Sequence, residues 1–309
     1  MSAAQPQSPA LPRWRRWLSS PYLAPAGSAL FWAGNFIVGR ALRHEVAPIA
    51  LSFWRWTVAL AVLLPLTAAE LWAQRDLLRQ RWRSLAILGF TGVTAFQTCV
   101  YLALQTTTAL NALLFLSLTP AAIAAGSWLF LGERLTARQA AGIGVSLVGA
   151  VVLIVRGDLG TLLGLRFARG DLWMLAAVLL WAIYSIVVRR RPTALSQLGF
   201  LSATVVAGML FLAPMYAVAA LTGHGGFHVT PATVAGVIYV ALLPSVAAFV
   251  LWNRGVQRLG PNRTGMYLHL MPVFGAVLGV LFLGEAIALY QVVGAGLVFL
   301  GIAAMNVGR

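Results

Sequence analysis

From Tyr22 onward the sequence alternates apolar runs with short polar connections. Each run is roughly 20 residues long, the length at which an α-helix crosses the hydrocarbon core of a bilayer. Within lipid every backbone amide must be satisfied inside the protein, so runs of this kind become helices rather than open sheets. They fall near 22–43, 48–72, 83–104, 107–131, 136–156, 171–191, 197–221, 231–252, 261–283 and 286–308, which predicts ten transmembrane helices. Only 9% of the residues are charged and 60% are hydrophobic, whereas soluble domains carry about 25% charged residues. No connection is long enough for a soluble domain, which excludes a fused ATPase or kinase.

The chain also repeats itself. Phe-Leu-Gly-Glu occurs at 130–133 and again at 282–285, and a proline (Pro120, Pro272) stands thirteen residues before each glutamate. Gln139, Gly142 and Gly149 match Gln291, Gly294 and Gly301 at the same offset of 152 residues. Earlier in each half the offset is 149, pairing Trp32 with Trp181 and Pro65 with Pro214. The difference of three residues places a length change in the loop between the second and third helices. Five spans per half is an odd number, so the second half enters the membrane the opposite way round. The sequence therefore predicts an all-α polytopic membrane protein, ten transmembrane helices arranged as a 5+5 inverted repeat. Its segments are a cytoplasmic tail (1–21), a first repeat (22–156), an outer connecting loop (157–170) and a second repeat (171–309).

The net charge of +15 comes from 22 arginines, without a lysine, against seven acids. A nucleic-acid partner would need these on one soluble face, but they cluster between apolar runs. With the N-terminus inside, sixteen fall on inner segments and five on outer ones, and Arg55, within a span, completes the 22. The positive-inside rule then places both termini in the cytoplasm. The first twelve residues read as an unstructured tail. Arg13, Arg15 and Arg16 before the first run suit a signal peptide, but that run is too long for one and reads as a retained helix. Cys99 stands alone, so no intramolecular disulfide or cysteine metal site is available.

Several residues could carry function. Trp32 and Asn35 share one face of the first helix, and their repeat counterparts Trp181 and Tyr184 share the same face of the sixth. Aromatic rings with hydrogen-bonding groups suit a cavity for a small amphiphile. An interfacial aromatic belt is the alternative, though these residues lie about ten positions into their helices, near mid-membrane. The third helix carries a polar stripe, Thr94, Gln97, Thr98, Tyr101 and Gln105, fit for a cavity wall or for interhelical hydrogen bonds. The eighth adds Tyr239, Ser245, Trp252 and Asn253 around Pro244. The prolines of the fourth and ninth helices interrupt the backbone ladder, with Asn111, Ser117 and Thr119 near one and Tyr267, His269 and Met271 near the other. Pro120 and Pro272 read either as hinges beside a cavity or as static kinks. His269 is a functional candidate by virtue of its depth, or a hydrogen-bonding member of the bundle. Arg55, between Trp54 and Trp56 near a helix end, reads as snorkelling to the interface, with pairing to a substrate carboxylate as the minority alternative.

Glu133 and Glu285 read as structural, each in a turn before a helix, and after Glu133 Thr136 with Gln139 resembles a capping box. The glycine series are small-residue packing faces; they follow no strand and form no dinucleotide fingerprint. Walker-type loops, zinc-binding helices and nucleophile elbows are missing from the sequence. No catalytic residue, metal site or cofactor is expected.

With the duplicated Leu-Gly-Glu, the paired prolines and the small-residue final helices in place, the whole chain resembles the EamA-type ten-helix exporters of the drug/metabolite transporter superfamily. It looks most like bacterial inner-membrane exporters of aromatic and other amino acids, which implies a location in the bacterial inner (plasma) membrane. The resemblance implies a 5+5 inverted repeat around a central cavity lined by helices one, three, four, six, eight and nine, with five and ten peripheral, and export by alternating access without an ATPase. Trp32, Asn35, Tyr101, Asn111, Trp181, Tyr239, Asn253, Tyr267 and His269 would fall on the lining helices. The chain lacks the first-helix glutamate of the small four-helix multidrug members, which argues against proton-driven cation export. The expected partners are a small-molecule substrate and the lipid bilayer, for a monomer that could dimerise through its small-residue helices. Export of amphiphilic metabolites, amino acids included, is the expectation; broad drug or nucleobase efflux is the alternative within transport. An intramembrane enzyme would need a catalytic dyad or metal cluster, and a scaffold gives no reason for paired prolines.

Overall fold

The computed structural model describes residues 20–192, 194–283 and 286–307. The chain-terminal segments, including Arg13, Arg15, Arg16 and Arg309, and the second motif glutamate, Glu285, lie outside the described residues. In chain order the principal helices are α1 (Leu23–Ala41), α2 (Pro48–Ala73), α3 (Trp82–Thr106), α4 (Leu110–Leu131), α5 (Ala137–Ile154), α6 (Arg169–Val188), α7 (Gln197–Leu221), α8 (Pro231–Leu259), α9 (261–283) and α10 (Leu289–Asn306). Eight of them are long and apolar enough to cross a membrane. The other two, α1 and α9, occupy the remaining expected places. Helix α9 falls short because it is broken into Pro261–Gly265, a 3₁₀ turn at Met266–His269 and Leu270–Leu283. Two short helices, Arg75–Gln80 and Leu159–Leu163, lie in connections that the hydropathy pattern left open.

Local chemistry sets several of these ends. Gly132 closes α4 in the left-handed region at φ 69°, where a side chain would be strained. Thr136 then starts α5 with the expected capping box: its Oγ1 accepts from the Gln139 amide, and Gln139 Oε1 accepts from the Thr136 amide. The matching position in the second half is Ala288. Alanine offers no side-chain acceptor, so only the return bond from the Ala288 amide to Gln291 Oε1 is made.

Contacts between the halves occur in exchanged pairs. Helices α5 and α10 approach so closely that a Cβ on Gly142 would lie 2.9 Å from the Gly301 carbonyl oxygen, and one on Gly149 would lie 2.6 Å from that of Gly294. At the 152-residue offset these are one contact with the halves swapped. Between α2 and α7, Thr67 donates to Ser202 at 2.8 Å, and its exchanged counterpart is the stacked pair Phe53–Tyr216 at 4.3 Å. Both α3 and α8 carry a π-helical turn, at Gly89–Ala95 and Ala241–Ala247, again 152 residues apart. Self-complementary exchange of this kind is the signature of a twofold relation between two surfaces. Gly142, Gly149, Gly294 and Gly301 of the small-residue faces are therefore occupied within the chain, whereas a Cβ on Gly144 or Gly296 would meet nothing.

Candidate functional site

One exchanged contact is made in one half and absent in the other, and there the cavity lies. Near the described chain ends, α9 packs on the second part of α4: a Cβ on Gly265 would touch Ile123 Cδ1 at 3.2 Å. On the same side Asn262 donates to Glu133 Oε2 at 3.2 Å, Arg190 to the Phe130 carbonyl at 3.1 Å, and Arg189 to the Gln257 carbonyl at 3.0 Å. The exchanged counterpart of Gly265–Ile123 is Leu113–Gly275. Here a Cβ on Gly275 would meet nothing, and both residues line a cavity of about 570 Å³. The lining runs from Ala33 and Met271 to Arg156, Tyr290 and Gln291, where α5 ends and α10 begins. The opening thus faces away from the described chain ends, and the opposite side is closed. A second, almost wholly apolar cavity of about 380 Å³ adjoins it at Leu153, Ala276 and Gln291.

Beyond the cavity floor is a smaller space of about 20 Å³, lined by Trp32, Asn35, Gln97 and Trp181 among others. Leu116, Leu268 and Met271 form its wall, and Met271 lines both spaces, so it separates them. Trp32 and Trp181, repeat counterparts, meet edge to face at 5.0 Å and pack with Phe249 and Trp252. The Trp32 indole donates to the Pro244 carbonyl in the π-turn of α8 at 2.9 Å. Such turns shift the backbone ladder and recur at functional sites.

Two equivalent Tyr–Asn pairs flank the tryptophans. The Tyr101 hydroxyl lies 3.3 Å from Asn35 Oδ1, and the Tyr184 hydroxyl donates to Asn253 Oδ1 at 2.9 Å. Across the repeat the two residue types exchange places, since Asn35 matches Tyr184 and Tyr101 matches Asn253. Only the first pair carries a cation. Arg55, expected at the interface, is 0% exposed. Its Nε donates to Ser245 Oγ at 2.7 Å, and its Nη1 donates to Tyr101 Oη at 2.8 Å and Asn35 Oδ1 at 3.2 Å. Its Nη2 has no partner. Its place between Trp54 and Trp56 near a helix end suggested snorkelling to the interface, but helical periodicity carried the contrary signal. Ser52, Arg55, Trp56, Ala59, Leu63 and Thr67 form the buried face of α2.

The remaining candidates are dispersed. Tyr239 lines the large cavity, and its hydroxyl occupies the space a side chain at position 34 would fill. Asn111 sits at the open end, its amide reaching Asp171 Oδ2 at 3.2 Å and the Arg166 carbonyl at 3.1 Å. Asp171, buried, also accepts from Thr107 and from the Ala168 amide, which ties the start of α6 to α4. Tyr267 lies at the closed end, paired with the side chain of Asn306. His269 Nε2 faces the Ser117 carbonyl at 2.8 Å and must donate to it, so Nδ1, 2.7 Å from Ser146 Oγ, accepts in the neutral ring. Ser117 and His269 are themselves repeat counterparts, and each marks the break in its helix, with Pro120 and Pro272 three residues later. Among the described residues no group of three His, Cys, Asp or Glu side chains is placed to hold a metal.

The profile of the EamA-like transporter family matches residues 20–155 and again 168–307. A transporter of Bacillus subtilis (strain 168), YyaM, is 26% identical over 283 residues, covering 91% of this chain and 92% of the relative. A probable terminal-alkyne amino-acid exporter of Streptantibioticus cattleyicolor is 28% identical over 289 residues, covering 94% of each. A crystal structure shares the fold at a TM-score of 0.74 and 23% identity, over 93% of this chain and 98% of that one.

Proposed function

This chain belongs to the EamA-like transporter family, and from that premise we propose that it exports small amphiphilic metabolites, including amino acids with aromatic side chains, by alternating access. The observation that carries the reading is the asymmetry of one exchanged pair: Gly265 touches Ile123 while Gly275 stands clear of Leu113 across the cavity. A twofold protein with one such contact closed and its counterpart open has a second conformation of nearly equal energy, in which the two are interchanged. The two five-helix halves, inverted with respect to each other, would rock between these states, with the breaks before Pro120 and Pro272 as hinges. In the cytoplasm-in orientation favoured by the arginines, the present state is open to the outside. The apolar cavity walls with Tyr239, and Gln97 and Asn35 on the inner space behind Met271, suit an amphiphile, and the relative named for amino-acid export supports the substrate class.

The test is uptake by purified protein in liposomes. Labelled tryptophan and phenylalanine, a nucleobase and a lipophilic cation are each offered with and without a pH gradient. Aromatic amino acids are expected to enter faster than into protein-free vesicles. Gradient-driven uptake of the cation alone would favour drug efflux instead, and uptake of nothing would oppose the proposal.

A further inference from the structure

Arg55 is a buried cation without a counter-charge. No described carboxylate lies within ion-pairing distance of it. Its three committed N–H groups, one on Nε and two on Nη1, go to the neutral partners Ser245, Tyr101 and Asn35, and the two on Nη2 go to none. The surroundings lean the same way. Trp56 Nε1, Trp181 Nε1, Trp252 Nε1 and Asn253 Nδ2 are buried donors, also without partners. Where α1, α2, α3 and α8 meet at Arg55 the protein therefore offers a positive charge and the spare donors of Nη2, with the Trp56 donor on the next residue and the other donors on α6 and α8 around the tryptophan cluster. Both call for a ligand rich in acceptors and negatively charged.

We propose that Arg55 is the docking group for a substrate carboxylate, taken on Nη2, with Asn35, Tyr101 and Ser245 holding the guanidinium in register. The assignment rests on the transport reading above and names the chemistry its substrate must carry. Guanidinium and carboxylate are matched in shape and charge, and their hydrogen bonds are stronger than neutral ones. Asn35 lines the small inner space, so the guanidinium lies one hydrogen bond behind that wall. A carboxylate entering from the large cavity reaches it once Leu116, Leu268 and Met271 part. The repeat counterpart of Arg55 is Thr204, whose hydroxyl is spent on the Phe200 carbonyl. The charge is thus on one half only, which gives a bound substrate a single orientation.

Calorimetric titration of the purified protein with tryptophan, indole-3-propionate and tryptamine separates carboxylate from amine recognition without requiring transport. The two carboxylates are expected to bind at least about tenfold more tightly than tryptamine, a factor modest for a charge-assisted bond. Tryptamine binding as tightly as indole-3-propionate, or neither carboxylate binding, overturns the assignment. In Arg55→Gln the preference is expected to collapse, and in Arg55→Lys to be retained in part. A folded Arg55→Gln protein that keeps the wild-type preference also overturns it. If Arg55→Gln does not fold, the wild-type series decides alone. Carboxylate-selective binding without tryptophan uptake into liposomes would leave Arg55 assigned and defeat the transport reading.

Discussion

At the scale of single residues the interior is arranged around hydrogen bonds that few other partners could supply. His269 illustrates this, because both ring nitrogens are engaged by groups from other helices, Ser117 of α4 and Ser146 of α5. Its depth was readable from the sequence, but its partners were not, since they lie 152 and 123 residues away in the chain. Replacing His269 with alanine leaves the Ser117 carbonyl and the Ser146 hydroxyl buried without it. The expected cost is about 1–3 kcal/mol, the penalty for stranding buried polar groups. It would register as a lower unfolding temperature in detergent, and an unchanged temperature would show that these bonds contribute nothing. Arg55 teaches the converse. Neighbours in sequence, Trp54 and Trp56, pointed to the membrane surface, whereas neighbours on the helix face, Ser52 and Ala59, pointed inward.

At the scale of elements, the two interrupted helices differ from a proline-kinked helix in a way that bears on mechanism. The helical ladder is already broken at Ser117 in α4 and at His269 in α9, and each proline falls in the first turn of the segment that follows. There its missing N–H is not needed for an intrahelical bond and its fixed φ suits the new start. The proline thus holds the break in place rather than straining a continuous helix. Pro120→Ala and Pro272→Ala would let the segments fuse across the break. Folding should survive in both, judged by a symmetrical gel-filtration profile, while the initial uptake rate in liposomes falls. Unchanged rates in both variants would sink the hinge assignment. The π-turns of α3 and α8 had no visible signal in the sequence. Only Pro244 marks one of them, and its counterpart is Gly92.

At the scale of the whole molecule, the chain is an all-α polytopic membrane transporter rather than an enzyme, and two exchanged contacts put the proposed rocking of the halves to the test. A Cβ on Gly265 would stand 3.8 Å from that of Ile123, within the span of about 3.5–4.5 Å that a disulfide requires. In a background where Cys99 is replaced by alanine, Ile123→Cys with Gly265→Cys should crosslink readily and hold the cavity open. Leu113→Cys with Gly275→Cys should crosslink only as the protein visits the opposite state, and more readily when substrate is cycling. Uptake should stop in both cross-linked proteins and return with a reductant. Equal crosslinking of the two pairs at rest, or full transport with either bridge formed, would contradict the rocking of the halves.

The sequence by itself determined the helical architecture, the register of the two halves and the positions of the breaks. Bilayer-length apolar runs admit only one kind of backbone, and duplication leaves its offset in the residues. It also carried the family resemblance through the repeated Leu-Gly-Glu and its prolines. Only the tertiary structure decided that Gly265 packs on Ile123 while Gly275 stands clear of Leu113, because repeated residues do not say which of two equivalent contacts is made. It alone likewise decided that Arg55 is buried against Asn35, Tyr101 and Ser245 rather than reaching for the interface. A side chain's surroundings on a membrane helix depend on which face meets protein, and that is settled by helices far away in the chain.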